Sequence, residues 1–251
     1  GLASLDLTTL DTSKVTDMSL MFAGCINLKN LDCLKMDAKN VIFASSMFAQ
    51  CRRLQELKLP VFSKKLKRVN KGNNSVHING YSERASGMFY YCINLISLDL
   101  TSLDTSNVTD MSYMFFNCGR LTSLDLTPLD TSNVTGAYQM FYGCSSLTSL
   151  DLTPLNTSNV TNMGSMFEGC SGLTNLDITP LNTSNVTSMY QMFRNCSSIT
   201  TLITGSNFKF VGTDYELSGT WQNTAGGTFN GNKGTANFPS NVADTYTKIS
   251  N

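Results

Sequence analysis

The sequence predicts a β-rich or α/β solenoid: a right-handed coil with a parallel sheet, closed by a small C-terminal β cap. Three observations support this fold class. A 26-residue unit recurs along most of the 251-residue chain, each unit opens with an alternating Leu-x-Leu pattern, and the period is lost from residue 202 onward. A repeat at a fixed period indicates stacked units that bury a shared core, with a different sequence covering the last unit.

The register of the repeat divides the chain. Copies begin at Leu5, Leu31, Leu57, Leu98, Leu124, Leu150 and Leu176. The third copy takes 41 residues rather than 26 to reach the fourth, so it carries an insertion of 15 residues within about 62–84. We therefore predict a repeat domain of seven copies over residues 1–201 and a C-terminal β cap over residues 202–251.

Each copy predicts one short strand and one less regular segment. Leu124 and Leu126 flank Asp125, an alternation that indicates a strand with the leucines inward. This matches the Leu-x-Leu part of the leucine-rich consensus, so the predicted coil is leucine-rich-repeat-like, although the Asn or Cys expected next is missing. The segment 108–115 predicts a second strand or an extended turn. Prolines predict corners where the first strand ends: Pro128, Pro154 and Pro180.

Stacking would turn equivalent residues into columns. A methionine column is followed directly by a phenylalanine column, Phe22, Phe48, Phe89, Phe115, Phe141, Phe167 and Phe193, and both are expected to form the core. A cysteine column follows three residues later: Cys25, Cys51, Cys92, Cys118, Cys144, Cys170 and Cys196. A straight ladder does not supply four tetrahedral zinc ligands, so we interpret these thiols as reduced and structural. Disulfides between neighbouring copies are the alternative.

The polar columns are interpreted as structural. Aspartates recur between the two strand leucines, at Asp6, Asp32, Asp99, Asp125, Asp151 and Asp177, and a weakly held cation there is the less favoured alternative. Five residues after them, Asp and Asn exchange freely, at Asp11, Asp37, Asp104, Asp130, Asn156 and Asn182, which favours local side-chain to backbone turns. The Asn-Val-Thr triplets are likewise assigned to turns. No metal or cofactor is predicted.

Composition and missing motifs exclude several classes. Lys plus Arg equals Asp plus Glu at 18 each, which argues against a nucleic-acid binder, although residues 1–84 carry a balance of +6. No apolar run is long enough to span a membrane. The lone histidine, His77, lies in the insertion without a placed catalytic partner, so we predict no enzyme. The chain is expected to begin inside a longer protein and to be a monomer as an isolated fragment.

The order of the motifs resembles a known repeat family. Leu-Asp-Leu-Thr-x-Leu-Asp-Thr-Ser-Asn-Val-Thr, then Met-Phe and Cys, is similar to the repeat of BspA-like bacterial surface proteins over residues 5–201. The second copy, with Ala38 to Val41, and the interrupted third copy depart from that pattern. The resemblance implies an extracellular protein, on the bacterial cell surface or secreted, that is linked to adhesion and has no catalytic residues.

Two candidate sites follow from positions that vary between copies. Aromatic residues gather around the second segment of the middle copies, and we predict that Tyr90, Tyr113, Phe116, Tyr138 and Tyr142 form an exposed ligand face. Covering of neighbouring apolar surface by these rings is the alternative. The insertion predicts a mobile basic loop that contacts an anionic polymer through Lys64, Lys65, Lys67, Arg68 and Lys71.

Two functions remain open from the residues. The first is an adhesion or ligand-binding module that recognises a host extracellular protein, a mucin or a glycan through the outward face of the repeats. The second is a structural spacer that projects another domain of a larger surface protein. A glycan and protein array probed with the isolated chain separates them.

Overall fold

The computed structural model describes residues 2–63, 65–67, 76–78, 81–83 and 87–250, with the backbone alone described for residues 76–78 and 81–83. Within these ranges the chain forms turns and eleven short strands, and no helix. The strands are β1 (Asn30–Asp32), β2 (Asp37–Ala38), β3 (Glu56–Lys58), β4 (Val61–Phe62), β5 (Val76–Ile78), β6 (Tyr81–Glu83), β7 (Asn175–Asp177), β8 (Thr201–Thr204), β9 (Thr220–Asn223), β10 (Thr228–Asn230) and β11 (Asp244–Ser250).

The strands form four separate sheets in the described part of the chain. Three are two-stranded: β1 with β3 and β2 with β4, both parallel, and β5 with β6, antiparallel. The fourth has five strands in the order β10-β9-β11-β8-β7. In it, β7 and β8 are parallel, whereas β11 runs antiparallel to both β8 and β9.

The predicted fold class is wrong. A leucine-rich-repeat-like right-handed coil needs one strand per copy joined into a continuous parallel sheet, and the described residues form only small, separate sheets and much irregular chain. The aspartates explain how short the strands are. Strands β1 and β7 both end at an aspartate, Asp32 or Asp177, whose Oδ1 accepts a hydrogen bond from the backbone N–H two residues on, at 3.0 and 2.9 Å. Such a bond competes with sheet pairing and turns the chain.

Adjacent copies nevertheless share one core. The seven column phenylalanines stack in sequence order, with centroids 5.6–6.2 Å apart and ring planes within 9° of parallel. These rings are buried, as predicted, together with the methionine column from Met47 onward. In the first copy, however, Met21 is 38% exposed.

Side chains complete the pairing between copies. Each column thiol from Cys51 onward donates a hydrogen bond to the carbonyl of the phenylalanine in the preceding copy, at 3.0–3.2 Å. Thr157 both donates to the carbonyl of Asn182 at 2.9 Å and accepts from its N–H at 2.8 Å. The Asn-Val-Thr asparagines lie in turns, as predicted, and in the last three copies they also donate Nδ2 to a serine carbonyl of the preceding copy, as Asn159 does to Ser132 at 2.7 Å.

The Asp and Asn turn prediction is confirmed. At every position of that column, the Oδ1 atom accepts a hydrogen bond from the backbone N–H two residues on, whether the residue is an aspartate such as Asp130 or an asparagine such as Asn156. The aspartates between the strand leucines make the same bond. Charge is not required for this role, since an amide oxygen accepts equally well.

Aromatic residues close the C-terminal end of the core. Phe238 lies 4.9–6.5 Å, centroid to centroid, from five other rings: Phe210, Tyr215, Trp221, Phe229 and Tyr246. The domain boundary predicted at residue 202 falls inside β8, which pairs with β7 of the seventh copy. The division into two domains stays a prediction.

The repeat continues beyond residue 62 in the third copy, and the insertion contains a hairpin. Val61 and Phe62 pair with the second copy, and the N–H of Lys67 still donates to the carbonyl of Ile42 at 2.8 Å, so the repeat continues to at least residue 67. Residues 76–78 and 81–83 form the hairpin β5–β6, which places His77 in a strand rather than in a loop. Nothing is described of its side chain.

Candidate functional site

One surface of the repeat array is built by a segment that we call the turn ladder, residues 18–25, 44–51, 87–92, 111–118, 137–144, 163–170 and 189–196. In the fourth copy the N–H groups of Met111, Tyr113, Phe115 and Asn117 donate to carbonyls of the fifth copy at 2.6–3.0 Å. The intervening N–H groups of residues 114, 116 and 118 close turns within their own copy. Because the N–H of Ser112 donates to Asp110 Oδ1, every backbone donor of residues 111–118 is used.

Left-handed backbone positions set the direction of the side chains along this ladder. Tyr113 and Asn117 have φ of 63° and 54°, and equivalent residues of other copies, such as Gln139 and Asn195, share this conformation at 55° and 59°. Residues with a Cβ adopt this region only when the surrounding structure holds them there. The hydrogen bonds of the turn ladder hold these residues in the left-handed conformation.

The five predicted aromatic site residues do come together. Tyr90, Tyr113 and Phe116 belong to a cluster that is separate from the main core, and Tyr138 and Tyr142 pack against it. Phe116 stacks on Tyr90 at 4.8 Å and on Tyr142 at 4.4 Å. Tyr138 meets Tyr113 edge-on at 5.4 Å. Sequence reasoning thus identified the members of a real cluster.

The expected exposure of that cluster is wrong for three of its members. Tyr90 and Tyr113 are 7% exposed and Phe116 is 9% exposed, whereas Tyr138 and Tyr142 are half-buried. Rings on neighbouring copies lie close enough to shield one another from water, which was the alternative interpretation. Only the rim of the cluster is left to contact a ligand.

Sequence reasoning missed Tyr91, which lies on that rim. Its ring is half-buried, 4.9 Å from Tyr90 and 5.4 Å from Phe116, and the guanidinium carbon of Arg52 lies 5.4 Å from its centroid. Arg52 also donates to Gln50 Oε1 at 2.8 and 3.1 Å, which orients the guanidinium. The doubled tyrosine at 90–91 is unique among the copies and is the signal that could have revealed it.

Charged side chains continue the same column beyond the aromatic cluster. Glu168 is 5% exposed and lies 3.7 Å from Arg194, which in turn lies 3.6 Å from Glu216. Lys233 also pairs with Glu216, at 3.7 Å. Burial, followed by the negative charge of Glu168, raises the pKa of the neighbouring Tyr142 hydroxyl. This end of the surface holds two carboxylates and two cations.

A groove lies where the seventh copy meets the C-terminal segment. Its volume is about 320 Å³, and its lining includes Thr187, Ser188, Tyr190, Thr213 and Asp214. Tyr190 is 49% exposed, and the ammonium of Lys233 lies 5.6 Å from its ring centroid.

The structure describes only part of the predicted basic site and does not support the possible cation site. Lys65 and Lys67 are exposed, and Lys64, Arg68 and Lys71 lie outside the described residues, so contact with an anionic polymer stays a prediction. Across the described ranges, no group of three or more His, Cys, Asp or Glu side chains is arranged to hold a metal ion. Nor does any helix in the described part have the length and apolarity to cross a membrane.

Comparison with known proteins gives one match. The family model described as Mycoplasma protein of unknown function, DUF285, matches residues 3–78 and 83–206. These two ranges cover the seven copies and leave out the C-terminal strands β9, β10 and β11. No curated protein and no solved structure matches the chain.

Proposed function

The chain belongs to the bacterial repeat family described as Mycoplasma protein of unknown function, DUF285, and we propose from its geometry that it is a ligand-binding module of the cell surface. It recognises a host extracellular protein, a mucin or a glycan through the exposed rim of the turn ladder, and adhesion is the activity that this binding serves. The similarity of its motif order to BspA-like surface proteins supports an extracellular or secreted location.

The observation that carries this proposal is the presentation of three tyrosines. Tyr91, Tyr138 and Tyr142 are half-buried and all pack against the buried ring cluster. Tyrosines held in this way offer a large contact area and a polar hydroxyl, and they lose little side-chain entropy on binding. Interfaces are enriched in tyrosine and arginine, and Arg52 lies over Tyr91 on the same rim.

The variation between copies agrees with such a role. The inward columns keep Met, Phe and Cys in all seven copies. The column that directly follows the phenylalanines instead changes along the array: Ala23, Ala49, Tyr90, Phe116, Tyr142, Glu168 and Arg194. A spacer requires only the Met, Phe and Cys columns of the main core, so the change of chemistry along this separate column favours recognition.

The test replaces the three rim tyrosines together. The variant Tyr91→Ser, Tyr138→Ser, Tyr142→Ser should bind immobilised mucin, or the best ligand on a glycan and protein array, at least about tenfold more weakly than the parent chain. Its matched control is Thr122→Ser, Thr148→Ser, Thr174→Ser, a change of three exposed residues outside the turn ladder that should leave binding intact. Thermal unfolding of both variants checks that they fold.

Two outcomes contradict the proposal. If the parent chain binds no mucin, glycan or matrix protein, or if the folded triple tyrosine variant binds as tightly as the parent, the spacer function is favoured. A variant with Tyr113, Phe116 and Tyr142 changed to serine is unsuitable, because Tyr113 and Phe116 are buried and their loss would unfold the cluster.

A further inference from the structure

The groove beside Tyr190 contains an aromatic ring whose surroundings differ from those of the rim tyrosines. Tyr138 occupies the same column two copies earlier, where it packs on Tyr113 and covers Gly164, so that a Cβ added to that glycine would lie 3.2 Å from the tyrosine ring. Tyr190 has no such ring partner among the described residues. Among the aromatic side chains of the described residues, only that of Tyr190 is exposed rather than buried or half-buried.

Polar groups in the groove are not used by the fold. The carboxylate of Asp214 accepts no hydrogen bond and forms no ion pair within the described residues, whereas Asp17 and Asp110 each accept one from the N–H two residues on, at 2.8 Å. The hydroxyls of Ser188 and Thr213 also make no hydrogen bond with the described chain. A carboxylate and two hydroxyls therefore line the groove without hydrogen bonds to the described chain.

The backbone holds these groups in place. The N–H of Gln191 donates to the carbonyl of Asp214 at 2.7 Å, and the N–H of Phe193 donates to the carbonyl of Tyr215 at 2.9 Å. These bonds continue the turn ladder into the C-terminal segment and set Asp214 beside the seventh copy. A site that is built on paired backbone needs little reorganisation when it binds a ligand.

The charges and the size of the groove restrict the ligand. Asp214 in the groove lining repels an anionic ligand, and the ammonium of Lys233, which is also paired with Glu216, lies beside the Tyr190 ring on which a cationic ligand would stack. A volume of about 320 Å³ is at the lower end of the range for small-molecule sites, which suits a single ring rather than a longer ligand. A neutral pyranose has an apolar C–H face that stacks on tyrosine and adjacent hydroxyls that donate to a carboxylate.

We propose that the Tyr190 groove binds one neutral pyranose residue, with the sugar ring stacked on Tyr190 and two adjacent hydroxyls donating to Asp214. Ser188 and Thr213 complete the hydrogen bonding. This inference rests on the proposed binding function and assigns one ligand class to a part of the surface that the rim tyrosines do not form. In a larger glycan, the groove would hold a single sugar unit.

Saturation-transfer NMR on the full chain tests the proposal with methyl glycosides of glucose, galactose, mannose and N-acetylglucosamine. At least one of them should bind with a dissociation constant on the order of 1 mM. Tyr190→Ala should weaken binding by about tenfold or more, and Asp214→Asn should weaken it as well, because an amide offers one acceptor oxygen instead of two. Ile96→Ala is the control, at an apolar side chain that is 42% exposed and lies outside both the groove and the turn ladder, and it should retain binding.

Several results would overturn the proposal. They are the absence of saturation transfer to all four glycosides, binding that survives Tyr190→Ala, and stronger binding of methyl glucuronide or glucosamine than of the neutral sugars. Failure here is distinguishable from failure of the proposed function. If the chain binds mucin through Tyr91, Tyr138 and Tyr142 but binds none of these glycosides, the proposed function stands and this inference fails. If it binds a glycoside through Tyr190 but does not bind through the rim tyrosines, the inference stands and the proposed rim function fails.

Discussion

Hydrogen bonds from single side chains help to hold neighbouring copies together. Cys144 donates its thiol hydrogen to the carbonyl of Phe115, which also accepts the N–H of Cys118. Burial raises the pKa of Cys92, Cys144 and Cys196 to about 12 each. Because a thiolate cannot donate this hydrogen bond and is poorly solvated in the core, the protonated thiol is the form that stabilises the folded chain.

Native-state alkylation should distinguish one column thiol from the rest. At pH 8.5, iodoacetamide should label Cys25, which is half-buried, at least about a hundredfold faster than the buried thiols, since the thiolate is the reactive form. Mass spectrometry counts the labels.

The raised pKa of Cys144 also predicts a pH dependence of stability. Its contribution to the free energy of unfolding is fully present below pH 9.0 and is lost as the pH rises toward 12.

Denaturation without a reductant completes the alkylation experiment. All eight cysteines should then be labelled, since each is free in the structure. A protein mass that lacks two alkyl labels and two hydrogens would instead support the disulfide alternative.

At the scale of the repeat element, threonine takes part of the role that a β ladder was expected to have. Thr105, Thr131 and Thr157 each bond the N–H and the carbonyl of one residue in the following copy, and Thr183 does the same with Lys209 of the C-terminal segment. The side chain thereby satisfies two backbone groups at a corner where the strand has already ended. This explains how copies stay in register although most of them contribute no strand to a sheet.

Replacing one of these threonines by an isosteric apolar residue should therefore be costly. Thr157→Val leaves the N–H and carbonyl of Asn182 without their partner and should lower the free energy of unfolding by about 2 kcal/mol. Chemical denaturation measures the loss, and hydrogen exchange at the Asn182 amide should quicken. Thr148→Val, at an exposed threonine, is the control and should change stability by less than about 0.5 kcal/mol. Equal stability of the two variants would contradict the bridging role.

Over the whole molecule, the two ends of the core differ. At the N-terminal end Met21 is partly exposed, although the same column is buried in every later copy. At the other end, Phe193 meets Tyr215 edge-on at 6.5 Å, and the rings around Phe238 cover the core. In a chain of stacked units each copy is stabilised mainly by its neighbours, so the covered end should be the better protected one.

Loss of the central ring should uncover that end. Phe238→Ala should destabilise the chain by about 3–5 kcal/mol, because it leaves a cavity among several other rings. Hydrogen exchange should speed up most in β8 and β11, while the amides of residues 43–51 keep their protection. Ile249→Ala, at a position of β11 that is 52% exposed, serves as the control. A uniform loss of protection along the chain would show that the copies unfold as one cooperative unit.

Much of the local structure was predictable because it depends on residues close in sequence or on the repeat itself. The inward Met, Phe and Cys columns followed from the period of 26, and the Asp and Asn turns followed from the reach of a short side chain to the N–H two residues away. The membership of the aromatic cluster was also predictable, since equivalent positions of adjacent copies must lie near each other.

Tertiary structure decided what the period leaves open. Whether Leu-x-Leu segments pair into one sheet depends on competition between ladder bonds and side-chain bonds, and the bonds from Asp, Thr and Asn prevailed. Burial of Tyr90, Tyr113 and Phe116 arises from shielding by rings on other copies, which no single copy encodes. The Tyr190 groove exists because the chain from Val211 to Asp214 returns beside the seventh copy, a contact between segments that share no repeat pattern.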